Sequence, residues 1–171
     1  MNRQLLSRRQ FNARCAAFGL SWPAISALRA GPSQPAARTA KLPDGTSVTA
    51  LGQGAWHLGQ GRHPLAVEEQ ALRTGISLGM NLIDTSGNYG NGRSEQFISR
   101  VMAGQRDRIF LVSKVEGNEV SGNGMARACE ASLARLGTDH LDLYLLHWPV
   151  PSTQFPAVAA GLSAVPHRLQ N

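Results

Sequence analysis

The chain has 171 residues, of which 42% are hydrophobic and 16% are charged, a composition that fits a folded domain and excludes wholesale disorder. Its formal net charge is +6, yet residues 1–41 hold seven of the seventeen basic residues and none of the eleven acidic ones. The remainder therefore carries ten basic and eleven acidic residues, a net charge of −1, so we expect no nucleic-acid-binding face on the folded part.

Residues 1–37 have the pattern of an export signal followed by a linker. The segment "SRRQF" (7–11) is followed by a mildly apolar stretch at 16–28, an arrangement that resembles a twin-arginine signal. The stretch is interrupted by Pro23 and is too short for a stable membrane span. We expect a periplasmic or secreted protein if the signal functions and a cytoplasmic one otherwise. The alternative is a basic N-terminal tail with no role in targeting.

The next elements are a hairpin, a strand and a helix. Pro-Asp-Gly between two β-prone flanks predicts a hairpin at 38–50, and "LGQGAW" (51–56) predicts a short strand. A helix is predicted from Pro64, which suits the first helical position, to a stop at Gly79. The expected core stripe of this helix is Val67, Ala71, Gly75 and Leu78, with Leu72 and Ile76 beside it.

Three further strands alternate with two helices in the rest of the chain. "MNLID" (80–84), "RIFLVSK" (108–114) and "HLDLYLLHW" (140–148) read as buried strands. The helix between the first two is expected to be capped by Ser94, and the helix between the last two is expected to end at Gly137. Their predicted core faces are Phe97, Ile98 and Val101 in the first, and Met125, Cys129, Ser132, Leu133 and Leu136 in the second.

This order predicts the fold class α/β. Continuous apolar strands that alternate with amphipathic helices imply a parallel sheet covered by helices, either an open doubly wound sheet or a (β/α) barrel. A Gly-x-Gly-x-x-Gly turn that follows the first strand and opens a helix would favour the doubly wound sheet, but "LGQGAWHLG" (51–59) lacks that spacing.

Ionisable side chains follow three successive strands of the predicted sheet. Asp84, Lys114 and His147 lie at strand ends, and Tyr89 lies in the loop after the first of them. Because the carboxyl ends of parallel strands share one edge, we expect these side chains to converge there. A tyrosine gives up its proton poorly near neutral pH, but a neighbouring ammonium stabilises the phenolate, and a carboxylate orients the ammonium. Such a set suits reduction of an aldehyde or ketone by a hydride donor.

These residues lie in motifs that resemble the aldo-keto reductase family. "NLIDTSGNYGNGRSE" (81–95) is similar to the family's Asp-Thr and Tyr-Gly motif, and "FLVSK" (110–114) resembles its lysine strand. "ACEASLARLGTDHLDLYLLHWP" (128–149) resembles its third helix and fourth strand. The likeness runs from about residue 40 to residue 150 and is greatest to bacterial members that act on small aldehydes such as methylglyoxal.

The resemblance implies a fold, a cofactor and a domain layout. The fold would be a partial (β/α)8 TIM barrel, with about four β/α units after an N-terminal β-hairpin. The cofactor would be NADPH and the substrate a small aldehyde or ketone; no metal site is assigned. The chain would divide into the export signal and linker (1–37), the N-terminal half of the barrel (38–150) and an atypical tail (151–171).

The resemblance also assigns roles to the polar residues. Tyr89 would be the proton donor, Lys114 would tune its acidity, Asp84 would hold Lys114, and His147 would orient the substrate. Two tryptophans, Trp56 and Trp148, would contact the substrate, although plain packing is the alternative for each.

The C-terminal segment departs from the family pattern. Residues 42–171 number 130, whereas a complete barrel needs roughly 200 or more. Pro151, Pro156 and Pro166 are expected to interrupt any helix there, and we interpret the tail as truncated or frameshifted. The main NADPH-binding region would then be absent and the chain poorly active alone. Open barrel edges would favour self-association, and the alternative function is a non-catalytic remnant or a regulatory or binding fragment.

Overall fold

The computed structural model describes residues 38–120 and 123–165. The twin-arginine-like segment lies outside these residues. The strands in the described part are β1 (Thr39–Lys41), β2 (Ser47–Thr49), β3 (Gly52–Gly54), β4 (Leu82–Asp84), β5 (Phe110–Val115) and β6 (Leu143–Leu146). The α-helices are α1 (Leu65–Ser77), α2 (Arg93–Met102), α3 (Gly124–Leu136) and α4 (Phe155–Ala164). Short 3-10 helices occupy Arg106–Arg108, Gly117–Glu119 and Ser152–Gln154.

The predicted hairpin is confirmed. Strands β1 and β2 pair antiparallel, with Thr39 opposite Thr49. In the turn, the backbone N–H of Thr46 donates to Asp44 Oδ1 at 2.9 Å, and this bond holds the pKa of Asp44 below its ordinary value. Asp and Gly are typical of such turns because an Asp side chain accepts from a backbone N–H nearby and Gly adopts a positive φ.

The other four strands form one parallel sheet in the order β3-β4-β5-β6. Each strand pairs with the one that follows it along the chain, and a doubly wound sheet would instead reverse its strand order at some point. The sequential order therefore corresponds to a segment of a (β/α) barrel, as predicted. Helices α1, α2 and α3 provide the connections between successive strands.

The two faces of the parallel sheet differ in burial. Ile83, Leu111 and Val115 point to one face and are buried in clusters with the helices. Their neighbours in the strands, including Leu82 and Phe110, are only partly buried on the opposite face. Because side chains alternate between faces along a strand, every second residue of β4 and β5 faces away from the helices.

The buried stripe of α1 differs from the prediction. Val67 and Leu78 are exposed, at 57% and 47%, whereas Glu68 is buried beside Leu72 and Ile76. The Glu68 carboxylate turns inward because its Oε2 accepts the backbone N–H of Gly59 at 2.8 Å. The buried face of the helix therefore includes Glu68 in place of the predicted Val67.

Two predicted helix boundaries were also wrong. Helix α2 is capped by Gly92, with φ 84°, and Ser94 lies inside its first turn with its hydroxyl donating to the Leu58 carbonyl at 2.7 Å. The predicted interruption of the tail by proline fails at α4, because Pro156 occupies the first turn, where a missing N–H breaks no helical bond.

None of the helices in 38–120 and 123–165 has the length and hydropathy needed to cross a membrane.

Candidate active site

Asp84 and Lys114 meet on the less buried face of the sheet. Asp84 pairs in register with Val112, so Lys114 lies two residues further along the neighbouring strand and on the same face. The Lys114 Nζ atom lies 2.7 Å from Asp84 Oδ1. The lysine side chain is largely buried, so the ion pair is shielded from solvent on one side.

Tyr89 joins this pair from the loop that follows β4. Lys114 Nζ donates to the Tyr89 hydroxyl oxygen at 3.2 Å and to the Thr85 carbonyl at 2.8 Å, and it lies 4.9 Å from the centre of the phenol ring. The ammonium thus contacts a carboxylate, a carbonyl and a phenol at once. The loop returns sharply after Tyr89, where residues 90–92 all have positive φ values.

His147 completes the group from the end of β6. Its backbone N–H continues the sheet ladder to the Val115 carbonyl at 2.9 Å, which fixes where the side chain leaves the strand. The imidazole and the Tyr89 ring are 5.5 Å apart in an edge-to-face arrangement. Imidazole Nδ1 lies 2.5 Å from Glu116 Oε1 and 3.4 Å from Ser86 Oγ. The fold therefore brings Asp84, Tyr89, Lys114 and His147 together.

The two predicted substrate-contacting tryptophans are placed differently. Trp148 stacks on His147 with ring centroids 5.4 Å apart, so it adjoins the group directly. Trp56 follows β3 and stacks on His57 at 4.3 Å. Both tryptophans are 64% exposed, which leaves most of each ring available to a ligand.

A buried ion pair behind the site was not predicted. Glu95 in α2 is fully buried, and its carboxylate accepts from Arg135 Nε of α3 at 2.6 Å and from Ser113 Oγ of β5 at 2.7 Å. Ser113 immediately precedes Lys114. The sequence shows Glu95 at the start of a helix but carries no sign of its partner 40 residues away.

The second tyrosine provides a contrast with Tyr89. Tyr144 lies in β6, and its hydroxyl is buried without a hydrogen-bond partner within the described ranges. Burial raises the pKa of Tyr144 above its ordinary value. Tyr144 and Lys114 contribute to the lining of a polar cavity of about 280 Å³, as do Asn88 and Arg135. Of the two tyrosines, only Tyr89 has an ammonium on its oxygen.

The arrangement of the four side chains suits proton transfer to an oxygen atom of a bound molecule. A phenol that contacts an ammonium can pass its proton to an oxygen that gains negative charge, because the ammonium stabilises the phenolate left behind. The imidazole beside the phenol can hydrogen-bond the same oxygen. None of the four side chains can supply a hydride, so reduction of a carbonyl at this site requires an external hydride donor.

Comparisons with known proteins agree on one family. A model described as "Aldo/keto reductase family" matches residues 50–166. The chain is 48% identical over 102 residues to "Methylglyoxal reductase YeaE" of Escherichia coli (strain K12), covering 60% of this chain and 36% of that protein. It is 37% identical over 113 residues to an "Aldo-keto reductase" of Mycobacterium sp. (strain KMS), covering 64% and 38%.

Solved structures give the same result. An aldo/keto reductase from Klebsiella pneumoniae in complex with NADP and acetate matches with a TM-score of 0.66 and 40% identity, over 72% of this chain and 44% of that one. An aldo-keto reductase from Klebsiella pneumoniae in complex with NADPH matches with a TM-score of 0.67 and 39% identity, over 74% and 44%. The chain thus spans 36% to 44% of the length of these relatives.

Proposed function

Because the chain belongs to the aldo/keto reductase family, we propose that it carries the proton-donating residues for NADPH-dependent reduction of aldehydes or ketones to alcohols. The observation that carries the proposal is the position of Lys114 Nζ, 2.7 Å from Asp84 Oδ1 and 3.2 Å from the Tyr89 hydroxyl. A phenol in plain packing would not need this cation at its oxygen.

Each residue has a separate task in the proposed reaction. Tyr89 donates its proton to the carbonyl oxygen as that oxygen becomes a hydroxyl. Lys114 stabilises the resulting phenolate, and Asp84 holds Lys114 in place. His147 hydrogen-bonds the carbonyl oxygen and keeps it within reach of the phenol.

NADPH, when bound, supplies the hydride to the carbonyl carbon. The four side chains fit this cofactor. Their polar atoms can hydrogen-bond the carbonyl oxygen, and the carbonyl carbon must receive its hydride from a separate reductant. The complexes of similar Klebsiella pneumoniae proteins with NADP and NADPH support the choice. We assign no described residue to the diphosphate or the adenosine.

The proposed substrate is a small aldehyde such as methylglyoxal. The similarity to the Escherichia coli protein named methylglyoxal reductase supports this class. The exposed rings of Trp56 and Trp148 would contact the substrate carbon chain, Trp148 from its stack on His147. Changing Trp148→Ala should therefore raise KM for methylglyoxal more than it lowers kcat.

The test compares the turnover of Tyr89→Phe with that of a control variant, Tyr144→Phe. NADPH oxidation by the purified chain is followed with methylglyoxal as substrate. Tyr89→Phe should lower the rate by roughly 100-fold or more, the usual contribution of a general acid. Tyr144→Phe removes the only other tyrosine hydroxyl and should leave the rate unchanged. Equal rates for Tyr89→Phe and the parent chain would contradict the proposed role.

A second candidate is a non-catalytic member of the family that binds a ligand or another protein chain. The exposure of Trp56, Trp148 and Leu51, at 64% to 70%, favours an unfilled contact surface. Titration with NADPH, followed by nicotinamide fluorescence, separates the two candidates. Binding without methylglyoxal-dependent oxidation would favour this second function, and self-association through the β3 and β6 edges would appear as a dimer in size-exclusion chromatography.

We further propose export through the twin-arginine route, supported by "SRRQF" at residues 7–11. The test is a fusion of residues 1–37 to a reporter protein in a bacterial host. Replacing Arg8→Lys and Arg9→Lys together should leave the reporter in the cytoplasm with the charge unchanged. Export of the double variant at the parent rate would contradict the proposal.

A further inference from the structure

Glu116, which is not one of the four proposed catalytic residues, contacts the imidazole of His147. Glu116 directly follows β5, two residues after Lys114, and its Oε1 lies 2.5 Å from His147 Nδ1. The Ser86 hydroxyl is the other group near this nitrogen, at 3.4 Å, close to the limit of a hydrogen bond. Both partners of the short contact are largely shielded from solvent. Glu116 is therefore the dominant partner of Nδ1.

The backbone around Glu116 holds its side chain in place. The Glu116 N–H donates to Glu119 Oε2 at 3.4 Å, and the Glu116 carbonyl accepts the Glu119 N–H at 3.0 Å. These bonds close the single 3-10 turn at Gly117–Glu119 onto the end of the strand. The carboxylate thus starts from a fixed point and reaches across to the neighbouring strand end.

We propose, on the basis of the proposed function, that Glu116 is a positioning residue that keeps a proton on His147 Nδ1. An ionised carboxylate can only accept hydrogen bonds, so the nitrogen that contacts it must carry the hydrogen. Within the described residues, Nε2 has no hydrogen-bond partner, which leaves it for a substrate oxygen. The second nitrogen of a histidine commonly fixes the tautomer in this manner.

In this arrangement, the protonation state that His147 needs differs between an alcohol oxygen and a carbonyl oxygen. With Nδ1–H held by Glu116, neutral His147 presents a lone pair at Nε2, which can accept from the hydroxyl of an alcohol. A carbonyl oxygen can only accept, so it needs the doubly protonated ring, with N–H at Nε2. Carbonyl binding should therefore require the charged imidazole, whereas alcohol binding should also occur with the neutral one.

Among the groups packed around the ring, Glu116 is the charged one in direct contact. The Tyr89 ring lies 5.5 Å from the imidazole in an edge-to-face arrangement. Lys114 is beyond the phenol, where its charge is matched by Asp84 at 2.7 Å. The stacked neighbour Trp148 is uncharged. The negative charge nearest to the imidazole is thus that of Glu116.

The test is a direct determination of the tautomer by NMR in the full chain. Long-range proton–nitrogen correlations give the protonation of each ring nitrogen, and His147→Asn identifies the signals among the five histidines. At a pH where the ring is neutral, we expect the Nδ1–H form to exceed the Nε2–H form roughly tenfold, because bonds to charged groups are the strong ones. A dominant Nε2–H form would overturn the proposal.

Two variants distinguish the contact made by the Glu116 carboxylate from the effect of removing one negative charge anywhere in the chain. Glu116→Gln offers Nδ1 both an acceptor and a donor, so the preference for Nδ1–H should fall by roughly tenfold. Glu130→Gln removes the same charge from an exposed position of α3 and should leave the tautomer unchanged. An unchanged tautomer in Glu116→Gln would overturn the proposal. If that variant does not fold, the ratio of Nδ1–H to Nε2–H in the parent chain is the deciding measurement.

The outcome does not depend on turnover. A chain that shows Nδ1–H on His147 but no methylglyoxal-dependent oxidation of NADPH would count against the proposed function and leave the tautomer established. A chain that oxidises NADPH with Nε2–H on His147 would do the reverse.

Discussion

Arg135 and Glu95 join helices α3 and α2 through a 2.6 Å ion pair whose carboxylate is fully buried. The other oxygen of Glu95 accepts from Ser113, so two helices and the strand that carries Lys114 share one carboxylate. Removing one partner of a buried pair costs far more than removing a surface charge, because the remaining charge stays desolvated.

Arg135→Met should therefore lower the free energy of unfolding by about 3–5 kcal/mol, as measured by urea denaturation. Arg127→Met makes the same change at an exposed position of α3 and should cost within about 0.5 kcal/mol. Equal losses of unfolding free energy in the two variants would show that the effect of Arg135→Met comes from the change in helix propensity and not from the buried ion pair. Adding Glu95→Gln to Arg135→Met should recover part of the loss, since it removes the unpaired charge.

Tyr144→Phe should stabilise the chain. The Tyr144 hydroxyl is buried without a partner among the described residues, and an unsatisfied buried group costs about 1–3 kcal/mol. Removing it while keeping the ring should raise the free energy of unfolding by about 1 kcal/mol. Tyr89→Phe deletes a hydroxyl that accepts from Lys114 and should give no such gain. A loss of stability in Tyr144→Phe would mean that the hydroxyl has a partner in solution.

Alkaline pH should destabilise the fold through Cys129. Burial, with a smaller effect of Glu130, raises the pKa of this thiol to about 11. An unfolded thiol ionises near pH 8.5, so the stabilising effect is complete below that pH and is lost as the pH rises through about 11. The slope from one such group is at most about 1.4 kcal/mol per pH unit.

The measurement is the urea midpoint of the parent chain and of Cys129→Ala between pH 8 and pH 11. The variant should show a shallower decline above pH 9, whatever its stability at pH 8. Tyr144 contributes in the same direction, because burial also raises its pKa, so Cys129→Ala with Tyr144→Phe should be the least pH-dependent form. Parallel declines in the parent and the double variant would refute this origin of the pH dependence.

Gly92→Ala should disturb the loop that carries Tyr89. Gly92 has φ 84°, and an added Cβ would lie 2.4 Å from Arg135 Cδ. Gly45 has a similar φ of 89° but has nothing within 4 Å of such a Cβ, so Gly45→Ala measures the backbone strain alone, roughly 1–2 kcal/mol. Gly92→Ala should cost more than Gly45→Ala in urea denaturation and should also shift the NMR signals of the Tyr89 ring. Equal costs would mean that Arg135 moves aside freely.

The sequence predicts the parallel sheet and the convergence of its polar strand ends, for a physical reason. Alternation and helical periodicity are local patterns, and the strand ends of a parallel sheet meet wherever the strands lie side by side. Lys114 and Asp84 meet as expected, because the observed register places them on the same face of neighbouring strands.

The differences arise where one tertiary bond decides the outcome. Glu68 is buried by a backbone N–H of a preceding loop, and Ser94 is drawn from the cap position by the Leu58 carbonyl. Glu116 meets His147 across two strand ends. No local pattern in the sequence encodes such partners, which lie 9 to 36 residues away.

Adjacent residues of β5 serve opposite sides of the sheet. Ser113 is bonded to the buried scaffold through Glu95, while Lys114 is bonded to Asp84 and Tyr89. A change at Ser113 would therefore move the ammonium as well, and engineering of substrate preference should avoid this dipeptide. Trp56 and Trp148 offer better starting points, because their exposed rings can be exchanged without disturbing a buried bond.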